Sequence, residues 1–255
     1  MMRVFGVQLR KELRELWRTR KLIVVLAVLV GFGLMSPILA KITPDLLEQL
    51  SEGQMEGIVI IIPEPTERDA IDQFVKNISQ FGLLQALLKI VVALVGERER
   101  GQLALIFPHP LPREVFVLAK FAALTILFAL GMLLGALGAY LYTVLLFDAP
   151  SLGGFLALTW LMFVWLLCLV ALSLLASTLG RSMMAAGGIA FALIIAVLLA
   201  GSFTPLAPGR LLDWGRALAV GADTPARWSV LAVTLGISTL AVGASCLILR
   251  RQEIG

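Results

Sequence analysis

Long apolar runs alternate with short polar segments along almost the whole chain. A helix needs about 20 mainly apolar residues to cross a bilayer. Six runs reach this length, alone or together with their helical flanks, so the pattern predicts an all-α, polytopic membrane protein with six transmembrane helices. The runs are Leu22–Leu39, Phe81–Val95, Val115–Phe147, Phe155–Leu179, Met183–Phe203 and Val230–Leu249.

The composition agrees with this prediction. Of the residues, 59% are hydrophobic and 15% are charged, whereas soluble domains have about 45–50% apolar and about 25% charged residues. The net charge of +4 fits basic residues that flank spans on the cytoplasmic side, so we expect no nucleic-acid partner. One histidine and two cysteines within apolar runs provide neither a metal site nor a disulfide framework.

No enzymatic residue set stands out in the sequence. The lone His109 lies between two prolines, and no GxxxxGK(S/T) phosphate loop occurs anywhere in the chain. We therefore expect no catalytic residues and no enzymatic activity in this chain.

Residues 1–20 precede the first apolar run and have a basic, amphipathic pattern. Phe5, Leu9, Leu13 and Trp17 recur at helical spacing, while the basic side chains lie mostly on other faces. This pattern predicts a helix on the surface of the inner leaflet. A solvated, charged tail is the alternative.

The longest polar segment, residues 41–80, is rich in acidic residues where the first twenty residues are basic. The positive-inside rule then places the amino terminus in the cytoplasm and this segment outside. The acidic residues favour a solvated surface over a cation site. Within the segment we expect one short helix over Pro44–Gln54, and Thr66 with Asp69 forms an N-cap pair that begins the helix of the second span.

A second extracytoplasmic segment is expected over residues 205–228, which are amphipathic and too polar to span. The even number of spans places both termini in the cytoplasm. The predicted location is the cell (inner or cytoplasmic) membrane, with residues 1–255 forming a single transmembrane domain in the lipid bilayer.

One ionisable residue, Lys89, lies within the second apolar run. Ionisable residues in membrane spans usually face protein or a water-filled cavity and often mark functional sites. A lysine can instead extend its apolar stem toward the membrane interface. Lys89 is therefore a candidate intramembrane polar site, with extension to the interface as the alternative.

The third run carries Gly131, Gly135 and Gly138 along one side. Small residues at this spacing let two helix backbones approach closely within a membrane. We expect the third span to pack against another span through these glycines, without a further function.

The loop at residues 96–114, GERERGQLALIFPHPLPRE, interrupts the second and third runs. Each of its four leading charges would cost about 2.5–3.5 kcal/mol at the bilayer centre, so the loop must lie in water. A short apolar stretch follows the charges, and Pro108, Pro110 and Pro112 then prevent any helix from continuing. The pattern predicts a short amphipathic helix outside the membrane, followed by a rigid turn.

This loop resembles the cytoplasmic loop between the second and third spans of type 2 ABC transporter permeases. In that family a charged run with Gly and Leu follows the second span, and a Pro-Leu-x-Arg turn and a lysine of the third span come next. Gln102 replaces the usual Thr. The six-span layout extends the resemblance over nearly the whole chain, and an ordinary charged loop is the alternative. The matching residues are Glu97, Glu99, Gly101, Leu103, Pro110, Leu111, Arg113 and Lys120.

The resemblance implies an interfacial elbow helix at residues 1–20 and a cytoplasmic coupling helix that docks on a separate ABC ATPase (nucleotide-binding) subunit. ATP and Mg are expected on that subunit, and no cofactor is expected on this chain. The residues expected to contact the ATPase are Glu97, Arg98, Glu99, Arg100, Gly101, Gln102, Leu103, Leu105, Ile106, Phe107, Pro110 and Arg113.

The implied function is that of a permease subunit of an ABC transporter, acting as an exporter. A second permease chain, in a homodimer or a heterodimer, would complete the translocation path. The other hypothesis is an autonomous secondary transporter or channel, which would typically place paired ionisable residues near the membrane midplane.

Overall fold

The computed structural model describes residues 2–52, 64–99 and 112–251, and for residues 47, 49–52 and 88–99 it describes the backbone alone. Every regular element in these ranges is an α-helix, which confirms the all-α prediction for the described part of the chain. The helices are α1 (Met2–Arg18), α2 (Lys21–Glu52), α3 (Glu67–Glu99), α4 (Arg113–Leu146), α5 (Leu152–Leu179), α6 (Met183–Phe203), α7 (Arg210–Ala219) and α8 (Trp228–Arg251).

Five of the described helices are long and apolar enough to cross a membrane: α2, α4, α5, α6 and α8. They correspond to five of the six predicted spans, so the chain is a multi-pass membrane protein. The remaining predicted span, Phe81–Val95, lies in α3, which is not among these five helices. A sixth span therefore stays a prediction.

Two of the spanning helices, α2 and α4, lie parallel to each other. Gly33 of α2 lies against Gly135 of α4, and further along both helices the Lys41 Nζ donates to the Leu146 carbonyl at 3.5 Å. From the first pair to the second, the residue numbers rise in both helices, so the two helices run in the same direction.

Helix α3 runs in the opposite direction along α2. The rings of Phe32 and Phe81 stack with centroids 3.5 Å apart, while Asn77 donates to Ser36 Oγ at 3.0 Å. Residue numbers therefore rise in α2 as they fall in α3. The chain leaves α2 at one end of the bundle and returns along α3 to the other.

Helix α5 is the central element of the bundle, packed against α3, α4, α6, α7 and α8. Phe155 near its start lies between Phe74 of α3 and Tyr140 of α4, at centroid distances of 5.6 and 5.4 Å. The short helix α7 lies against the start of α5, where a Cβ added to Gly215 would meet Leu158. The rings of Trp214 and Trp228 then meet edge to face at 5.5 Å.

Two local predictions are confirmed. The Thr66 backbone N–H donates to the Asp69 carboxylate at 2.8 Å, and the Thr66 hydroxyl donates to it at 2.9 Å, directly before α3 begins. A Cβ added to Gly135 would lie 2.6 Å from the Leu29 carbonyl oxygen of α2. The glycines of α4 therefore do allow a close helix contact.

The prediction of a separate short helix over Pro44–Gln54 is wrong for its described part, residues 44–52. Helix α2 continues without a break from Lys21 to Glu52 and contains both Pro37 and Pro44. A proline within a helix costs about 3 kcal/mol. Here α2 is held along α4 on both sides of Pro37, by the glycine contact and by the Lys41 hydrogen bond, and this packing outweighs the local cost.

Candidate functional site at the loop-bearing end of the bundle

The end of the bundle where α3 ends and α4 begins is called here the loop-bearing end. The loop predicted to couple to an ATPase connects these two helix termini. Glu97, Arg98 and Glu99 form the last turn of the α3 backbone, and Arg113 begins α4. The other predicted contact residues lie outside the described residues, namely Arg100, Gly101, Gln102, Leu103, Leu105, Ile106, Phe107 and Pro110.

The intramembrane candidate Lys89 belongs to α3, where the structure describes its backbone alone. Its role as a polar site therefore stays a prediction. Among the described residues no group of three or more His, Cys, Asp and Glu side chains could hold a metal ion.

Arg113 connects the start of α4 with the end of α8. Its Nη1 donates to the carbonyls of Leu249 at 3.2 Å and of Arg250 at 3.4 Å. The last carbonyls of a helix have no hydrogen-bond partner within the helix and carry partial negative charge. A guanidinium group at this position donates the missing hydrogen bonds and supplies the opposite charge. An exposed ion pair between Arg250 and Glu114, at 3.5 Å, adds to the same junction.

A buried ion pair connects α1 with α4. The Lys120 Nζ lies 2.8 Å from Glu12 Oε2, and only 3% of the lysine side chain and 6% of the glutamate side chain are exposed. Glu12 Oε1 also accepts hydrogen bonds from Gln8 at 3.1 Å and from Lys11 at 3.3 Å. The carboxylate is therefore bonded at both oxygens.

This environment fixes the protonation state of Glu12. Burial alone would raise the pKa of its carboxyl, but the charges and hydrogen bonds of Lys120 and then Lys11 outweigh burial and lower the pKa below its usual value of 4.5. Removing one partner from a buried pair typically costs about 3–5 kcal/mol, because the other charge is left without compensation. The Glu12–Lys120 pair therefore fixes the position of α1 on α4.

A small cavity of about 20 Å³ adjoins the pair, lined in part by Glu15, Leu16 and Lys21. This volume holds about one water molecule, and the polar lining supplies hydrogen-bond partners for it. The junction of α1, α2 and α4 is thus polar at its centre and apolar around it.

Lys120 lies within the predicted third span, but the sequence alone does not identify Glu12 as its partner. The helical spacing in α1 indicates its apolar residues, whereas Gln8 and Glu12 are its most buried residues, with Leu9, Leu13 and Leu16 half-buried around them. Two features of the sequence point to this pair: Gln8 and Glu12 have i,i+4 spacing between those leucines, and Lys120 within a span requires a counter-charge.

The comparison with known families decides which class of membrane protein this is. Residues 8–212 match the family described as ABC-2 family transporter protein. The chain belongs to the ABC-2 transporter family.

The ABC-2 match begins at Gln8 in α1 and extends into α7, so it includes the Glu12–Lys120 pair and the whole loop of residues 96–114. A protein of Bacillus subtilis (strain 168), named uncharacterized transmembrane protein YxlG, is 26% identical over 204 residues, covering 80% of this chain and 79% of that protein. Members of the ABC-2 family are membrane components of transporters, so the chain is a transport protein.

Proposed function

We propose that this chain is the permease subunit of an ABC exporter, in which the loop of residues 96–114 receives the motion of a separate ATPase subunit. The observation that carries the proposal is the ABC-2 family match across this loop. ATP and Mg would bind to the partner subunit, and this chain would contribute the membrane path together with a second permease chain.

The distribution of charge supports a cytoplasmic loop-bearing end. Most of the basic side chains of the described residues belong to α1, to the α1–α2 turn and to the helix termini at this end. Acidic residues are more frequent near the opposite end, where α7 lies. By the positive-inside rule the loop and both termini would face the cytoplasm, where an ATPase can reach the loop.

The helix directions support six spans. Because α2 and α4 are parallel spanning helices, the chain must cross the membrane again between them. Helix α3 is antiparallel to α2 and 33 residues long, and at 1.5 Å per residue it is about 50 Å in length, more than the hydrocarbon core of a bilayer. We therefore assign the additional crossing to α3.

The contacts around α4 explain how a displacement of the loop could reach the spans. The loop enters α4 through Pro112, whose ring restricts the backbone. Within the first eight residues of α4, Arg113 connects to α8 and Lys120 connects to α1. A force on the loop would therefore move α1, α4 and α8 together instead of bending the chain at one point.

The alternative hypothesis, an autonomous secondary transporter or channel, predicts paired ionisable residues at the midplane. The described residues do contain a buried pair, but Lys120 lies close to the loop-bearing end of the 34-residue helix α4. A pair in this position suits a structural junction better than an ion path. Transport by the isolated chain in liposomes without ATP would favour the alternative.

The test uses Leu103→Asp and the matched variant Leu103→Met in the purified permease, with binding of its ATPase subunit as the readout. A charge on the apolar face of the predicted coupling helix should weaken binding about 30-fold, as loss of an interface hot spot of about 2 kcal/mol does. Leu103→Met keeps an apolar side chain and should bind like the original. Gly101→Trp provides a second variant, expected to uncouple ATP hydrolysis from transport without unfolding the permease.

Unchanged ATPase binding and unchanged coupling in both Leu103→Asp and Gly101→Trp would contradict the proposed role of the loop. Elution profiles of the detergent-solubilised variants establish that each is folded before its affinity is compared.

A further inference from the structure

An apolar groove of about 430 Å³ lies between α4, α5 and α8, within the size range of ligand sites in proteins. Leu118 and Phe121 of α4 form one wall, and residues from Leu235 to Cys246 of α8 form the other. The α8 wall is roughly 16 Å long at the helical rise of 1.5 Å per residue. Leu118 and Leu235 are exposed, so the groove opens on the outer surface of the bundle.

The groove offers an occupant no free hydroxyl donor from α8. Ser238 Oγ donates to the Thr234 carbonyl at 2.8 Å, and Thr239 Oγ1 donates to the Gly236 carbonyl at 3.0 Å. Both hydroxyl groups are thus bonded within their own helix. The occupant of the groove must therefore be apolar over the length that lies inside it.

The mouth of the groove at the loop-bearing end is positively charged. Arg250 follows Cys246 by one helical turn and lies on the same side of α8, and 70% of its side chain is exposed. Arg251 beside it is also exposed. Glu114 pairs with Arg250 at 3.5 Å, but an exposed pair of this kind is weak, and two arginines outnumber one carboxylate.

We infer that this groove binds one acyl chain of an anionic phospholipid, whose headgroup phosphate lies on Arg250 and Arg251. An apolar slot that opens toward lipid suits a hydrocarbon chain, while guanidinium groups bind phosphate through paired hydrogen bonds. Basic sites next to membrane helices attract anionic headgroups for the same reason. The charge at the mouth favours such a lipid over a zwitterionic lipid or a second copy of this chain.

The inference depends only on the membrane location of the chain, not on an ATPase partner. The bound lipid would lie beside the Arg113 junction, where α4 and α8 meet. It would therefore fill the space between these two helices on the outer surface and stabilise their contact.

Gly243 provides a direct test, because it lines the groove and a Cβ added there would meet no atom within 4 Å. Gly243→Leu would fill the groove without displacing protein atoms. Gly236→Leu is the matched control on the same helix, since Gly236 also has open space around it and does not line the groove.

The experiment measures by native mass spectrometry how much dioleoyl-phosphatidylglycerol or dioleoyl-phosphatidylcholine the full chain retains in detergent. We expect one retained phosphatidylglycerol molecule, preferred over phosphatidylcholine, in the original and in Gly236→Leu, and loss of it in Gly243→Leu. The double variant Arg250→Gln and Arg251→Gln should lower the preference by about fivefold per arginine. Arg181→Gln, an exposed charge at the same end of the bundle, should leave it unchanged.

Equal retention of phosphatidylglycerol in Gly243→Leu and Gly236→Leu would overturn the inference, as would equal retention of the two lipids by the original chain. If Gly243→Leu instead dissociates a dimer and leaves lipid retention unchanged, the groove is an interface between copies and the inference is wrong.

Discussion

Helix α4 has two contrasting contacts, one with α2 and one with α1. The contact with α2 depends on shape: a Cβ on Gly135 or on Gly138 would lie within 2.8 Å of atoms of α2. The contact with α1 depends on charge, because the buried Glu12–Lys120 pair lies at its centre. The same helix is therefore joined to one neighbour by close packing of backbones and to another by a polar interaction.

This difference has consequences for function. A glycine contact has a single packed arrangement and stabilises α2 and α4 as one rigid unit, because well-packed surfaces do not deform continuously. An ion pair orients its two partners, but it responds to protonation and to the loss of either charge. In the proposed mechanism α2 and α4 move together, and the ion pair determines whether α1 moves with them.

The largest expected effect is on the glycine contact. Gly135→Leu would place a Cβ 2.6 Å from the Leu29 carbonyl oxygen, and a backbone atom cannot move aside as a flexible side chain can. Overpacking costs about 1–3 kcal/mol even where side chains can yield, so we expect little or no folded protein, measured by size-exclusion chromatography in detergent.

Gly31→Leu is the control for this prediction. Gly31 lies on α2, two residues before Gly33, and a Cβ added there would meet no atom within 4 Å. This variant should remain folded. If Gly135→Leu were folded as well as Gly31→Leu, α2 and α4 would not be joined through their glycines.

A smaller loss is expected at the ion pair. Lys120→Met leaves a buried carboxylate without its main partner, which should destabilise the protein by about 3 kcal/mol. This value is the lower end of the range for broken buried pairs, because Glu12 can take up a proton and so lose its charge. The double variant Glu12→Gln with Lys120→Met removes both charges and should recover part of this loss. Thermal unfolding of Glu12→Gln, Lys120→Met and the double variant measures the coupling, and strict additivity of the two single effects would contradict a direct pair.

The smallest effect is a dependence on pH that distinguishes the two contacts. Because the pKa of Glu12 is lower in the folded protein than its usual value of 4.5, its contribution to stability is present above pH 4.5 and is lost as the pH falls below it. The difference in unfolding temperature between the original and Glu12→Gln should therefore decrease on acidification from pH 7 to pH 4. A difference that stays constant over this range would show that Glu12 is not bound as a carboxylate.

Features that depend on neighbours in sequence could be predicted from the sequence. Five spans, the helical character of residues 2–18, the Thr66–Asp69 cap and the packing role of Gly135 follow from periodicity, capping chemistry and residue size. Each of these signals lies within a few residues along the chain, which is why reading the sequence recovers it.

Features that depend on distant residues could not be predicted. The continuation of α2 through Pro37 depends on its packing against α4 on both sides of that proline, which overrides the local preference of proline. The pairing of Glu12 with Lys120 joins residues 108 positions apart, and nothing in the pattern of α1 alone specifies that partner. For the candidate site, the loop and its expected contact residues could be predicted from the sequence, whereas the contacts of Arg113 and Lys120 are visible only in the structure.

The central claim is that the loop between α3 and α4 contacts a separate ATPase on the cytoplasmic side. The most direct measurement replaces Leu103 with a photo-crosslinking amino acid in cells and identifies the product after irradiation, with Leu152, an exposed residue at the opposite end of the bundle, as the matched position. We expect a crosslink from position 103, and none from position 152, to a subunit that contains a phosphate loop. A crosslink from position 103 to an extracytoplasmic protein, or the same products from both positions, would contradict it.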